Sequence, residues 1–162
     1  MWLLGSGTIL REALAAAEIL ERDFSVGADV WSVTSFTELA RDGMRVERWN
    51  RLHPEAPPRE TWIESCLKHH SGPAVAATDY VRAYAEQIRA YVNRPYTVLG
   101  TDGFGRSDTR TALRAFFEVD RNHIVVAALK ELADQEALPV STVTAAIARL
   151  GIDPTRNEPW HA

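Results

Sequence analysis

ADVWSVTSFTELARDG, residues Ala28 to Gly43, sets two different periodicities side by side. ADVWSVTS is rich in β-branched and aromatic residues and reads as a strand containing Val30 and Val33. Ser35 stands where a helix N-cap belongs, and Glu38, three residues on, completes the pattern of a capping box for FTELARDG. A strand running directly into a capped helix is the repeating unit of an α/β protein, and the same unit recurs on either side.

Upstream, Trp2 to Leu4 is a short apolar run closed by GSG. TILREALAAAEILERD follows, with Leu10, Ala13, Leu14, Ala17 and Leu20 at helical spacing. Downstream, Met44 to Ile63 is less regular and is broken by HPEAPPR. RETWIESCLKHH then resumes as a helix ended by Ser71, Gly72 and Pro73. PAVAATD is a third strand, and YVRAYAEQIRAYV behind it is helical through Val81, Tyr84, Ala85, Ile88 and Val92. YTVLGTD is the fourth strand, and TRTALRAFF is a helix capped by Ser107 or Asp108. Two amphipathic helices close the chain, about Asn122 to Gln135 and Ser141 to Leu150. Parallel strands need long crossovers, usually helical, so four short apolar strands separated by helices predict a parallel sheet covered on both faces. The fold class is therefore a three-layer α/β/α sandwich, one domain over residues 1–162.

Composition narrows the function. The 162 residues, 46% apolar, suffice for a substantial core. A net charge of -4, with no segment concentrating Lys and Arg, argues against a nucleic-acid or anionic-membrane surface. No apolar run approaches a membrane span and no positively charged leader is recognisable, so a cytoplasmic protein is expected. Cys66 is the only cysteine, which excludes an internal disulfide and a multi-cysteine metal site.

Several segments could carry chemistry. GSG at Gly5 to Gly7 occupies the place of a dinucleotide loop, but Leu10 stands where the third glycine belongs, which favours a tight turn. GTDGFGRSD, Gly100 to Asp108, is rich in glycine, yet its spacing is neither that fingerprint nor a P-loop. His69 and His70 are adjacent and diverge on a helix, so they form no metal pair of the H-E-x-x-H kind. Ser107, His123 and Asp79 can be drawn as a triad, but no G-x-S-x-G elbow supports it. Arg106, Arg110 and Arg114, four apart, form a basic stripe that is either a solvated, ion-paired face or a receiver of an anionic partner. No complete catalytic constellation results.

Longer strings say more. LGSGTILREALAAAEIL, VWSVTSFTELARDG, ERWNRLHP, AATDYVRAYAEQIRAYV and YTVLGTDGFGRSDTRTALRAFFEVD together resemble the C-terminal domain of the homodimeric type of pyruvate dehydrogenase, the decarboxylating component of the pyruvate dehydrogenase complex. The resemblance runs from Trp2 to about Asn157; the closing TRNEPWHA departs from the family's usual ending.

The resemblance implies a transketolase C-terminal-like fold with four parallel strands in the order 2-1-3-4. The family's antiparallel edge strand would be missing, leaving the second strand an open edge. It implies a structural and assembly domain of a larger three-domain enzyme whose other domains hold thiamine diphosphate and magnesium. That enzyme decarboxylates pyruvate and passes the acetyl unit to the lipoyl groups of an acetyltransferase. The family's diphosphate motif, G-D-G followed by N-N, is absent from this sequence, so no catalytic, cofactor or metal residue is carried over and the fragment alone is expected to be inactive. The implied partners are the other domains, a second subunit and, through the parent, the acetyltransferase. Asp102, Arg106, Ser107, Asp108 and Arg110 are the candidates for an interdomain or dimer contact. The alternative is a free-standing small-molecule or nucleotide-binding α/β domain using the carboxyl ends of its strands.

Overall fold

The computed structural model describes residues 1–69 and 71–161. Strands β1 (Trp2–Gly5), β2 (Asp29–Ser32), β3 (Ala74–Ala77) and β4 (Tyr96–Leu99) form one sheet in the order β2-β1-β3-β4, with every pair parallel. Leu3 lies in register between Val30 and Val75, and Thr97 continues the row on β4.

Side chains alternate across a strand, so neighbouring residues of β1 serve different layers. Leu3, with Val75 and Ala77, packs beneath α1 (Leu10–Phe24), α6 (Arg121–Asp134) and α7 (Val140–Arg149). Trp2 and Leu4, with Ala74, Ala76, Tyr96 and Val98, pack beneath α2 (Phe36–Leu52), α3 (Trp62–Leu67) and α4 (Arg82–Glu86). Strands β1 and β3 are buried throughout, which explains their unbroken apolar text, whereas β2 is largely exposed. Among the described residues no strand pairs with the outer side of β2.

The three-layer arrangement and the strand order are as expected; several element details are not. Ser35 caps α2, accepting from the Glu38 N–H at 3.1 Å, but the Glu38 carboxylate turns to Arg41. The complete capping box belongs to α3, between Thr61 and Glu64. Helix α2 does not stop at Gly43 but continues to Leu52, and Gly43 is the contact point for Tyr91: a Cβ there would lie 2.2 Å from the ring. The segment after β3 is not one long helix. Ala85, Ile88 and Val92 do enter the core, but α4 ends at Glu86 and a 3-10 turn, Arg89–Tyr91, follows it. Arg89 is drawn to the Glu86 carboxylate and the Tyr96 carbonyl there. Val81 and Tyr84 are exposed, as is Leu14 on α1, where Ala16 takes the buried place. Helix α5 (Arg110–Phe116) is capped by Thr109, not Ser107 or Asp108. The Asp108 carboxylate is engaged by the adjacent Thr109 N–H at 2.6 Å.

Candidate functional site

The glycine-rich loop joins the carboxyl end of β4 to α5, at the edge where open α/β sheets usually present ligands. It is tightly braced. The Thr101 N–H donates to the Tyr80 carbonyl at 2.9 Å, and its hydroxyl to the Asp79 carbonyl at 2.6 Å, tying this loop to the one after β3. Asp102 accepts from the Arg82 N–H at 3.1 Å, with the Arg82 guanidinium 3.9 Å away. Gly103 has φ +111°, and a Cβ there would meet the Pro159 carbonyl at 2.7 Å, so the loop lies directly under the tail turn Pro159–His161. Gly100 is similarly close to Arg82, whereas a side chain at Gly105 would meet open space. Arg106 lies over the Phe116 ring at 4.2 Å. Arg156 faces the same ring at 5.0 Å and donates to the Ala115 and Phe116 carbonyls that end α5.

Behind the loop is an open cleft of about 620 Å³. Its floor is an ion network. The Thr8 hydroxyl donates to Asp79 at 2.5 Å and accepts from Arg114 at 3.0 Å. Arg114 reaches Glu12 at 2.9 Å, and the other Glu12 oxygen accepts from the Arg121 N–H at 3.2 Å and its Nε at 2.9 Å. Glu12 is only 6% exposed. Burial would raise its pKa, but the Arg121 hydrogen bonds and the charges of Arg121 and Arg114 outweigh this and hold it below the ordinary glutamate value.

The candidate residues are thus distributed by structural duties. Arg106 is on the loop, Arg110 opens α5 and Arg114 is paired with Glu12, so the three do not form one stripe. His123 Nδ1 lies 2.7 Å from Asp120, whose carboxylate also caps α6 by accepting the His123 N–H at 3.0 Å. Burial would raise Asp120, but these hydrogen bonds from His123 hold its pKa low. Asp79 belongs to Thr8 and His123 to Asp120, so no triad with Ser107 is assembled. The pairing of His69 with His70 falls partly outside the described residues. Cys66 is half-buried and lines a separate groove of about 470 Å³ between β2, α2 and α3.

Among the described residues no three His, Cys, Asp or Glu side chains converge, and Asp79, Asp102 and Asp108 are each engaged within the fold. No helix of the described residues is long and apolar enough to cross a membrane.

Sequence reasoning missed Glu12, the centre of the network. Its arginines lie 102 and 109 positions away. The available signal was a carboxylate in line with Ala16 and Leu20, spaced four apart on the apolar face of α1.

The parallel sheet, its crossover helices and the braced loop at its carboxyl edge make this an open three-layer α/β domain. The family model of the transketolase-like TK C-terminal domain matches residues 1–120, and the chain belongs to that family. Among its relatives is the pyruvate dehydrogenase E1 component of Pseudomonas aeruginosa, 58% identical over 158 residues, 97% of this chain and 18% of that protein. The E1 component of Cupriavidus necator is 57% identical over 157 residues and that of Escherichia coli K12 55% over 158, with the same two coverages. The chain therefore spans about a fifth of the length of these relatives. A split gene transketolase, titled an inactive beta4 tetramer, shares the fold with a TM-score of 0.55 at 20% identity, over 82% of this chain and 39% of that one.

Proposed function

We propose that this chain, residues 1–162, is the C-terminal structural and assembly domain of a thiamine-diphosphate-dependent pyruvate dehydrogenase of the bacterial cytoplasm. The intact enzyme decarboxylates pyruvate and transfers the acetyl unit to lipoyl groups of an acetyltransferase. Cofactor, magnesium and catalytic residues belong to the other domains, and this domain packs against them and against a second subunit. The loop residues Asp102, Arg106, Ser107, Asp108 and Arg110 face that contact. The observation that carries this reading is 58% identity across 97% of the chain with an E1 component of which it covers only 18%. The engagement of the acidic groups at the strand ends within the fold supports the same view.

The test is complementation. The chain alone, with thiamine diphosphate, magnesium and pyruvate, should release no carbon dioxide, and calorimetric titration with nucleotides or the cofactor should give no heat. Added to the Pseudomonas aeruginosa relative lacking the matched segment, it should bind and restore turnover. Turnover by the chain alone, or no association with the truncated relative, would overturn the reading.

A further inference from the structure

The loop after β4 carries a second feature that its bracing does not explain. Phe104 stands at its tip, 80% exposed, although Asp102 on one side is tied to Arg82 and Gly103 is pinned under Pro159. A single exposed apolar residue is ordinary, but this one has company. Trp160 is exposed on the tail turn, its Cα 3.1 Å from where a Gly103 Cβ would stand. Tyr80 and Tyr84, both exposed, contact each other edge to face at 5.7 Å beside the Thr101 hydrogen bond. On the other flank, Arg106 and Arg110 have no carboxylate within ion-pair distance among the described residues, although the chain as a whole carries net charge -4. Tyrosine, tryptophan, phenylalanine and arginine are the residues enriched at the energetic centres of protein interfaces. A braced loop offers them with little ordering entropy left to lose.

We infer that this aromatic and arginine face at the carboxyl ends of β3 and β4 docks, with Phe104 as its anchor, onto an apolar recess rimmed by carboxylates on the remaining part of the pyruvate dehydrogenase E1 polypeptide. The inference rests on the assembly reading above and adds the chemistry of the contact. The occupant is taken to be the rest of that polypeptide because the chain spans 18% of its relatives, leaving some four-fifths of such a protein to be met. Two guanidiniums without carboxylate partners on an acidic chain are complemented best by carboxylates on it.

The experiment measures binding of this chain to the Pseudomonas aeruginosa E1 component lacking the matched segment, by calorimetry at low and high salt. Phe104→Ala should weaken binding on the order of tenfold or more at every salt concentration. Arg106→Glu with Arg110→Glu should weaken it by about a hundredfold at low salt and by much less at high salt, where exposed charges are screened. Arg48→Glu, on the exposed face of α2, should bind as the unaltered chain does. As a second readout, the two loop substitutions placed at the matched positions of the intact relative should speed proteolytic release of this segment. Binding unchanged by both loop variants, or weakened equally by Arg48→Glu, overturns the inference and leaves the assembly reading standing. Failure of the unaltered chain to bind removes the assembly reading and the inference with it.

Discussion

Replacing Glu12 by glutamine tests whether the network beneath the cleft holds α1, α5 and α6 together. The substitution keeps the side chain's shape and one carbonyl acceptor but removes the charge. Arg114, whose side chain is 12% exposed, loses its charged partner and retains only neutral acceptors, Thr8 and the glutamine carbonyl. Removing one partner of a fully buried pair costs about 3–5 kcal/mol, and the Thr8 contacts place this case near the lower end. Arg121 is 49% exposed and adds roughly 0.5 kcal/mol, as partly solvated pairs do. The expected loss is about 3 kcal/mol, which for a chain of 162 residues lowers Tm by roughly 6–12 °C. Urea denaturation and calorimetry at pH 7 read it directly. The pH dependence supplies a second check. The folded pKa of Glu12 lies below the ordinary value of 4.5, so its stabilisation is full above that value and is lost as pH falls through the folded one. The gap between the two proteins should therefore close in acid. Adding Arg114→Met should recover part of the loss, with a coupling of about 1.5 kcal/mol or more. A loss below about 1 kcal/mol, or a gap constant from neutral pH to pH 3, refutes the reasoning.

Gly43→Ala should destabilise the protein by about 1–2 kcal/mol despite alanine's better helix propensity, because its Cβ drives into the Tyr91 ring. The same substitution in a Tyr91→Ala background should be neutral or stabilising, and chemical denaturation of the four proteins decides between these outcomes. Gly103→Ala forces a side chain into a positive-φ position beneath Pro159 and should release the tail, read as faster tryptic cleavage after Arg156; an unchanged digestion rate counts against the bracing. Asp120→Ala removes both the α6 cap and the partner of His123, and a loss of about 1–2 kcal/mol at neutral pH is expected. Because the Asp120 pKa lies below its usual 3.8, that loss should shrink only at strongly acid pH, which thermal melts across a pH series would reveal.

What the sequence disclosed follows from the range of the interactions responsible. The strands were legible because burial on both faces leaves unbroken apolar runs, as in Ala74–Ala77, and because each run opens a helical repeat. The Ser35 cap was legible because it acts over three residues. The helix was read over FTELARDG with irregular text from Met44, whereas α2 runs on through Gly43, whose missing side chain makes room for Tyr91, far along the chain. The broken helix after β3 was hidden similarly: its apolar spacing is genuine, and only the pull of Tyr96 and Glu86 on Arg89 shows where the ladder gives way. For the site, the loop between β4 and α5 was legible from its glycines, but the bonds its residues make were not. Arg114 reads as a surface arginine until Glu12 is brought beside it from the first helix.

The glycine-rich loop brings these points together. Glycines followed by a helix suggest a phosphate cradle, and such a cradle works by pointing free backbone N–H groups at the ligand. Here the Thr101 N–H is bound to Tyr80, the Thr109 N–H to Asp108 and the Ala112 N–H to the Thr109 hydroxyl. The helix that follows has only seven residues. Gly100 and Gly103 serve instead to let Arg82 and the Pro159 turn approach the backbone closely. What the loop exposes beyond those bonded ends is Phe104, Arg106 and Arg110. On the docking proposal made above, the same glycines serve a projection whose partner is another stretch of polypeptide, and the Phe104 and Arg106/Arg110 variants distinguish that use from a phosphate cradle.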